Sequence, residues 1–326
     1  MKRVILLLIW ISFLFPSSLF SYWEWTPETG RWINPKYAPK PTPEEQWEYA
    51  QEIYKDGDWK KALREFRKLV KYYPRSPYAP SAQFLAGDCL EKLGDPYTAA
   101  LEYEKVLKKY PEWEKGEEVI RRLKRIADSF FTKSERGVWS KTKEFFSKSN
   151  WERAAEIYRM ILETSPYWEK ADEIKFRIGE SYLQAGKFEE AAREFEELSR
   201  EYPTSPLVDK ARFYQALTWV KKSEKFPKDE KLREKAERAL KEFIHQNPQS
   251  DYVDTANKEL KILRERGAEK LFRIAEFYEK QGDYNSALIY YQETTRKFPQ
   301  SNWAQRARWR AEWLRKILSS SSSPSS

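Results

Sequence analysis

Gly186-Lys187-Phe188-Glu189-Glu190-Ala191-Ala192-Arg193-Glu194-Phe195-Glu196-Glu197-Leu198-Ser199-Arg200-Glu201-Tyr202-Pro203-Thr204-Ser205-Pro206 decides the fold. In it an alanine, Ala191, stands twelve residues before a proline, Pro203. The interval recurs at Ala62/Pro74, Ala99/Pro111, Ala154/Pro166, Ala236/Pro248 and Ala287/Pro299, six times in 326 residues. Four residues after each alanine comes Phe66, Tyr103, Tyr158, Phe195, Leu240 or Tyr291. Seven after it comes Leu69, Val106, Ile161, Leu198, Phe243 or Thr294. These offsets place one large residue per turn on a single helix face. The alanine is small because a second helix crosses there, and its partner position carries Ala50, Gly87, Gly179 or Ala275, so small faces small.

The punctuation agrees with a helix pair. Gly57, Gly94, Gly186 and Gly282 lie between the two helices of a unit, where glycine takes the left-handed conformation that ends a helix. The proline closes the second helix, since the residue before it is pushed out of helical geometry. After it come Ser76-Pro77, Ser205-Pro206, Ser250 and Ser301, which read as N-caps of the next unit, with Pro77 and Pro206 at the first helical position. The fold predicted is all-α: a right-handed superhelix of about six tetratricopeptide-type helix-turn-helix repeats with insertions and a C-terminal capping helix. The insertions are an additional helix at 116–131 ahead of a first helix near 138–147, a loop at 223–228, and a long helix over 251–280.

Working outward from the array at 44–318, Met1-Lys2-Arg3 and the apolar run Val4 to Phe15 read as a secretory signal peptide over 1–21, too short to span a bilayer, which takes about 20 residues. Export to the periplasm is expected. Residues 22–43 form a Trp- and Pro-rich segment, read as a small hairpin followed by a stiff connector. Residues 319–326 are a Ser-rich tail expected to be disordered. In an exported chain the net charge of +9 points to anionic headgroups or acidic protein partners rather than nucleic acid. Arg121, Arg122 and Arg125, and Arg306 and Arg310 in the last helix, are the basic contact candidates.

Chemistry is scarce. One histidine, His245, and one cysteine, Cys89, cannot assemble a zinc site of three or four His/Cys ligands. No phosphate loop, Gly-x-Gly-x-x-Gly turn or Gly-x-Ser-x-Gly elbow is present. Neither an enzyme, a cofactor nor a small-molecule substrate is expected. Cys89 reads as a core residue, and no cysteine follows the leader, which predicts no acylated N-terminal cysteine. A peptide-binding groove is the remaining expectation. Fifteen residues before the alanine stand Trp47, Phe84, Trp139, Phe176 and Phe272, an aromatic ladder that only Lys221 of the fifth repeat breaks.

Tyr73-Pro74-x-Ser76-Pro77-Tyr78, Tyr202-Pro203-x-Ser205-Pro206, and the long helix through Arg264-Glu265-Arg266 to Phe277-Tyr278-Glu279-Lys280, with Ala287-x-x-Tyr290-Tyr291 after it, resemble the BamD family. Those are tetratricopeptide lipoproteins of bacterial outer-membrane protein assembly. The resemblance implies a membrane-proximal periplasmic scaffold at the outer membrane. Its amino-terminal repeats would offer a groove to unfolded outer-membrane protein segments, and its carboxy-terminal repeats would hold the barrel-forming insertase. The alternative is another exported tetratricopeptide adaptor, of the division- or Tol-associated type.

Overall fold

A computed structural model of the 326-residue chain describes residues 24–26, 31–33, 38–135 and 149–321. The leader at 1–21, Trp139 with the helix expected near 138–147, and residues 322–326 lie outside the described residues.

Among the described residues two short strands, β1 (Glu24–Thr26) and β2 (Arg31–Ile33), pair antiparallel with Trp25 opposite Trp32. All else regular is helical: α1 (Pro43–Lys55), α2 (Trp59–Tyr72), α3 (Ala79–Lys92), α4 (Pro96–Lys109), α5 (Gly116–Glu135), α6 (Asn150–Thr164) and α7 (Ala171–Gln184). Then follow α8 (Phe188–Glu201), α9 (Val208–Lys225), α10 (Glu230–Gln246), α11 (Val253–Lys280), α12 (Tyr284–Lys297) and α13 (Asn302–Ser321). The chain divides within α5 into two units, 1–126 and 127–326.

In the first unit each of α1 to α4 packs on the next, and in the second so do α6 to α13. All six repeat alanines have no exposed surface, nor have Ala82, Ala211, Ala256 and Ala307. The close crossings show in the glycines. A Cβ on Gly87 would stand 2.5 Å from the Tyr103 ring, and one on Gly179 2.6 Å from the Phe195 ring. Gly57, Gly94, Gly186 and Gly282 all adopt φ between 75° and 82°, as the left-handed helix end requires.

The helix starts follow a different rule from the one the serines suggested. The second helices are capped by Asp58, Asp95 and Asp283, each accepting from the amide three residues on. Ser76 and Ser205 instead accept from the amides of Tyr78 and Leu207 in a turn that precedes the helix, so Pro77 and Pro206 lie outside it. Ser301 does cap its helix, through the amide of Ala304 at 3.0 Å.

A second correction concerns α5. The Tyr158 hydroxyl donates to Asp128, and Phe131 meets Trp151 edge-on at 4.7 Å. Helix α5 therefore occupies the first-helix position of the third repeat, and is not an additional helix ahead of it. The Ser-rich tail also begins inside α13, which runs to Ser321.

Buried charge locks neighbouring repeats in register. Glu102, three residues after its alanine and 3% exposed, accepts from Arg67 Nε at 3.0 Å and from Gln83. In the second unit Glu194 takes Arg159 at 2.6 Å and Lys175 at 3.3 Å in the corresponding places. Burial pushes the Glu102 carboxyl up, but Arg67 and Lys105 outweigh it and hold it below its ordinary value. Glu230 is raised by burial and lowered further by Arg233 and Lys270, with the same net direction. A carboxylate depressed in the folded state stabilises fully above its unfolded pKa and loses that contribution as pH falls through the folded value. The urea midpoint is therefore expected to hold from pH 7 to about 5 and to decline below about 4.5. An unchanged midpoint at pH 3 would show that these pairs contribute nothing net.

Candidate protein-binding surfaces

Of the aromatic ladder, Trp139 lies outside the described residues and the other four rings pack within the array. Phe84, Phe176 and Phe272 are 8%, 4% and 5% exposed. Each packs against the ring of its own second helix and a ring from the element that follows. Phe84 lies between Tyr103 and Trp113, Phe176 between Phe195 and Tyr214, and Phe272 between Tyr291 and Trp303. Trp47, half-buried, stacks on Tyr78 at 5.6 Å and leans on Phe66. These rings pack at the joints between repeats, where Phe84, Phe176 and Phe272 are buried and Trp47 keeps part of its surface open. The fifth repeat is not an exception. Counting forward from Pro203 gives Phe213, which packs on Phe243 and stacks on Tyr252. The backward count falls on Lys221 because α9, at 18 residues, outruns the 14 of α7, and α10 begins further ahead of its alanine than α8 does.

The basic candidates in the first unit are largely engaged within the chain. Arg122 donates to Asp88 at 3.0 Å and to Glu91 at 3.1 Å, and its guanidinium lies 5.6 Å from the Phe84 ring centre. Arg125 reaches Glu91 at 2.9 Å, and Arg121 pairs with Glu117 one turn back. Glu91 also accepts from the Tyr103 hydroxyl at 2.6 Å, while Tyr54 donates to Asp88 and accepts from Lys92. Burial and then Glu91 push the Tyr103 hydroxyl up, so it stays a donor. Asp88 is raised by burial, yet Tyr54, Lys92 and Arg122 together hold it low. The result is a neutralised polar seam along α1, α3 and α5.

The last helix is different. Its buried stripe is Ala304, Ala307, Ala311 and Leu314, which leaves Arg306, Trp309, Arg310 and Trp313 on another face. Trp309 is 64% and Trp313 40% exposed. Arg310 sits beside both rings, 5.8 and 4.9 Å from their centres, and is held by Glu279, which also accepts from Tyr291 at 2.7 Å. Arg306 lies 4.9 Å from the Trp303 ring. Arg310 is therefore a fixed element of an exposed Trp–Arg stripe, the residue pair most enriched at interface hot spots. The tryptophans of this helix stand out in the sequence less plainly than its charges do. Their i,i+4 spacing, off the alanine register, was the available signal.

Between α9 and α10 an open cleft of about 400 Å³ is lined by Arg212, Trp219, Lys235, Arg238, Glu242 and Asn247. Lys235 Nζ lies 3.2 Å above the Trp219 ring. Burial, then neighbouring Lys222, pulls the Lys235 ammonium below its ordinary value.

Among the described residues no group of three His, Cys, Asp or Glu side chains is placed to hold a metal, and no helix is long and apolar enough to cross a membrane. Cys89 is fully buried, its thiol pushed up to about 12 by burial and next by Asp88. What these surfaces offer is protein contact, and the class they define is a tetratricopeptide-type protein-binding scaffold.

The family model described as "YfiO: Outer membrane lipoprotein" matches residues 39–124 and 132–312, and the chain belongs to that family. The outer membrane protein assembly factor BamD of Caulobacter vibrioides is 20% identical over 151 residues, covering 46% of this chain and 50% of its own length. The match thus spans half of that curated relative. Among solved structures, a tetratricopeptide repeat protein from Parabacteroides merdae is 15% identical over 83% of this chain and 98% of its own, with a TM-score of 0.31. One from Thermus thermophilus is 13% identical over 67% of this chain and 99% of its own, with a TM-score of 0.33.

Proposed function

We propose that this protein is a non-enzymatic, BamD-like component of outer-membrane protein assembly, located in the periplasm against the outer membrane. Its partner would be a barrel-type insertase, and its clients unfolded outer-membrane protein segments. The observation that carries the reading is the family match running through nearly the whole repeat array, from residue 39 to 312. The exposed Trp309–Trp313 stripe lies at the end of that array and supplies the docking surface for the insertase. Client segments would use what the ladder does not, namely the cation-lined Trp219–Lys235 cleft.

Affinity purification of the tagged chain from detergent-solubilised envelopes tests the reading. Recovery of a barrel-type outer-membrane insertase is expected. Recovery of Tol or division components in its place would assign the protein to the alternative adaptor class.

A further inference from the structure

The turn from α12 to α13 and the facing stretch of α11 enclose an open cavity of about 720 Å³. Four cationic side chains line it, Lys261 and Arg264 from α11 and Arg296 and Lys297 from the end of α12. One carboxylate, Glu265, stands against them, and it is already engaged. Both its oxygens accept from the Asn302 amide where α13 begins, at 2.9 and 3.2 Å. A fifth cation, Arg308, donates to the carbonyl of Pro299 at 3.1 Å, in the wall of the same cavity. Elsewhere in the second unit cations are held by close carboxylates of the chain itself. Arg159 meets Glu194 at 2.6 Å, and Lys175 and Lys187 meet Glu197 and Glu152 at 2.7 Å each. The cavity is different. Among the described residues Lys261 makes no ion pair. Arg264 stands 3.9 Å from Glu237, which Arg233 and Lys241 also face. Arg296 stands 3.8 Å from Glu293, which Lys297 takes at 2.9 Å. Both longer separations exceed hydrogen-bonding distance. The carboxylates around this cavity therefore leave positive charge over.

A concave site lined by one sign of charge concentrates the opposite sign from solution. The charges here are also spread. Lys261 and Arg264 are neighbours on one face of α11, whereas Arg296 and Lys297 come from a second helix. Cations distributed over two helices suit several carboxylates along a chain better than one compact anion. The cavity volume agrees, since it is of the size that houses a many-atom ligand and not a lone ion. We propose that this cavity receives an acidic segment of a partner protein, whose Asp or Glu carboxylates pair with Lys261, Arg264 and Arg296. This inference rests on the protein-binding class of the scaffold and not on the insertase or its clients, so each can fail without the other.

The test follows the fluorescence anisotropy of a labelled peptide of alternating glutamate and serine titrated with the full chain. The control is the same peptide with glutamine for glutamate. The glutamate peptide should bind, less tightly as salt rises, and the glutamine peptide should not. Lys261→Gln together with Arg296→Gln should weaken the glutamate peptide about fivefold or more. Lys60→Gln together with Arg64→Gln, an equal loss of charge on α2, should leave it unchanged. All four residues are exposed, so the fold should survive both pairs of changes, which circular dichroism checks. Equal binding of the two peptides, no binding of either, or an equal loss in both variants would overturn the proposal. So would capture of phosphatidylglycerol vesicles that the Lys261/Arg296 variant loses while neither peptide binds, which would make the cavity a lipid headgroup site.

Discussion

Phe195→Ala is expected to cost about 3–5 kcal/mol, the range for removing a fully buried aromatic ring. Phe195 has no exposed surface and lies 5.2 Å from Phe176 and 5.6 Å from Tyr214, at the joint between the fourth and fifth repeats. Gly179→Ala should cost about 1–3 kcal/mol for the opposite reason, overpacking, because its Cβ would stand 2.6 Å from that same ring. The two defects should compensate. In one chain their combined cost should fall short of the sum by at least about 0.5 kcal/mol, since the added methyl enters the space the ring vacates. Urea unfolding of the two single variants and the double variant measures this. Strict additivity would mean that helices α7 and α8 do not cross at Gly179.

The largest effect on binding is expected on α13. Trp309→Ala and Trp313→Ala together should weaken capture of the proposed insertase partner by roughly 2 kcal/mol or more, about thirtyfold, as loss of interface anchors does. Stability should hardly change, because the rings are 64% and 40% exposed and stand off the buried alanine stripe. Arg310→Ala is a less clean probe. It also releases Glu279, which accepts from Tyr291 inside the last helix pair. A pair variant that unfolds, or one that binds as the parent does, would each remove the stripe as a docking surface.

The repeat architecture was legible because it rests on local rules that leave marks at fixed spacings. Alanine at a crossing, glycine at positive φ and proline after the second helix all survive insertions elsewhere in the chain. What failed did so where counting crossed from one helix of a pair to the other. Counting back from the alanine gave Lys221 in place of Phe213 because α9 and α10 are longer than α7 and α8, and it took α5 as surplus because residues 136–148 part it from α6. Counting forward from the preceding proline stays within one helix and gives Phe213 directly.

Of the described ladder rings, Phe84, Phe176 and Phe272 stand at the expected register and are buried. Periodicity identifies a face of a helix, and only the neighbouring repeat decides whether that face is covered. Trp113, Tyr214 and Trp303, each from the following element, close over Phe84, Phe176 and Phe272. The same limit hid the charge pairing. Arg122 and Arg125 read as free cations, and their carboxylates lie more than thirty positions away in sequence. Trp309 and Trp313 lie off the buried alanine stripe of α13 and are exposed among the described residues.

The central claim is that this scaffold meets the outer-membrane assembly machinery through that last helix. The most direct measurement replaces Trp313 by a photo-crosslinking amino acid in growing cells and identifies the adduct formed on irradiation. The account predicts a crosslink to a barrel-type outer-membrane insertase, absent when the same probe stands at the buried position of Ala307. An adduct with a Tol or division protein, or the same yield from both positions, would contradict it.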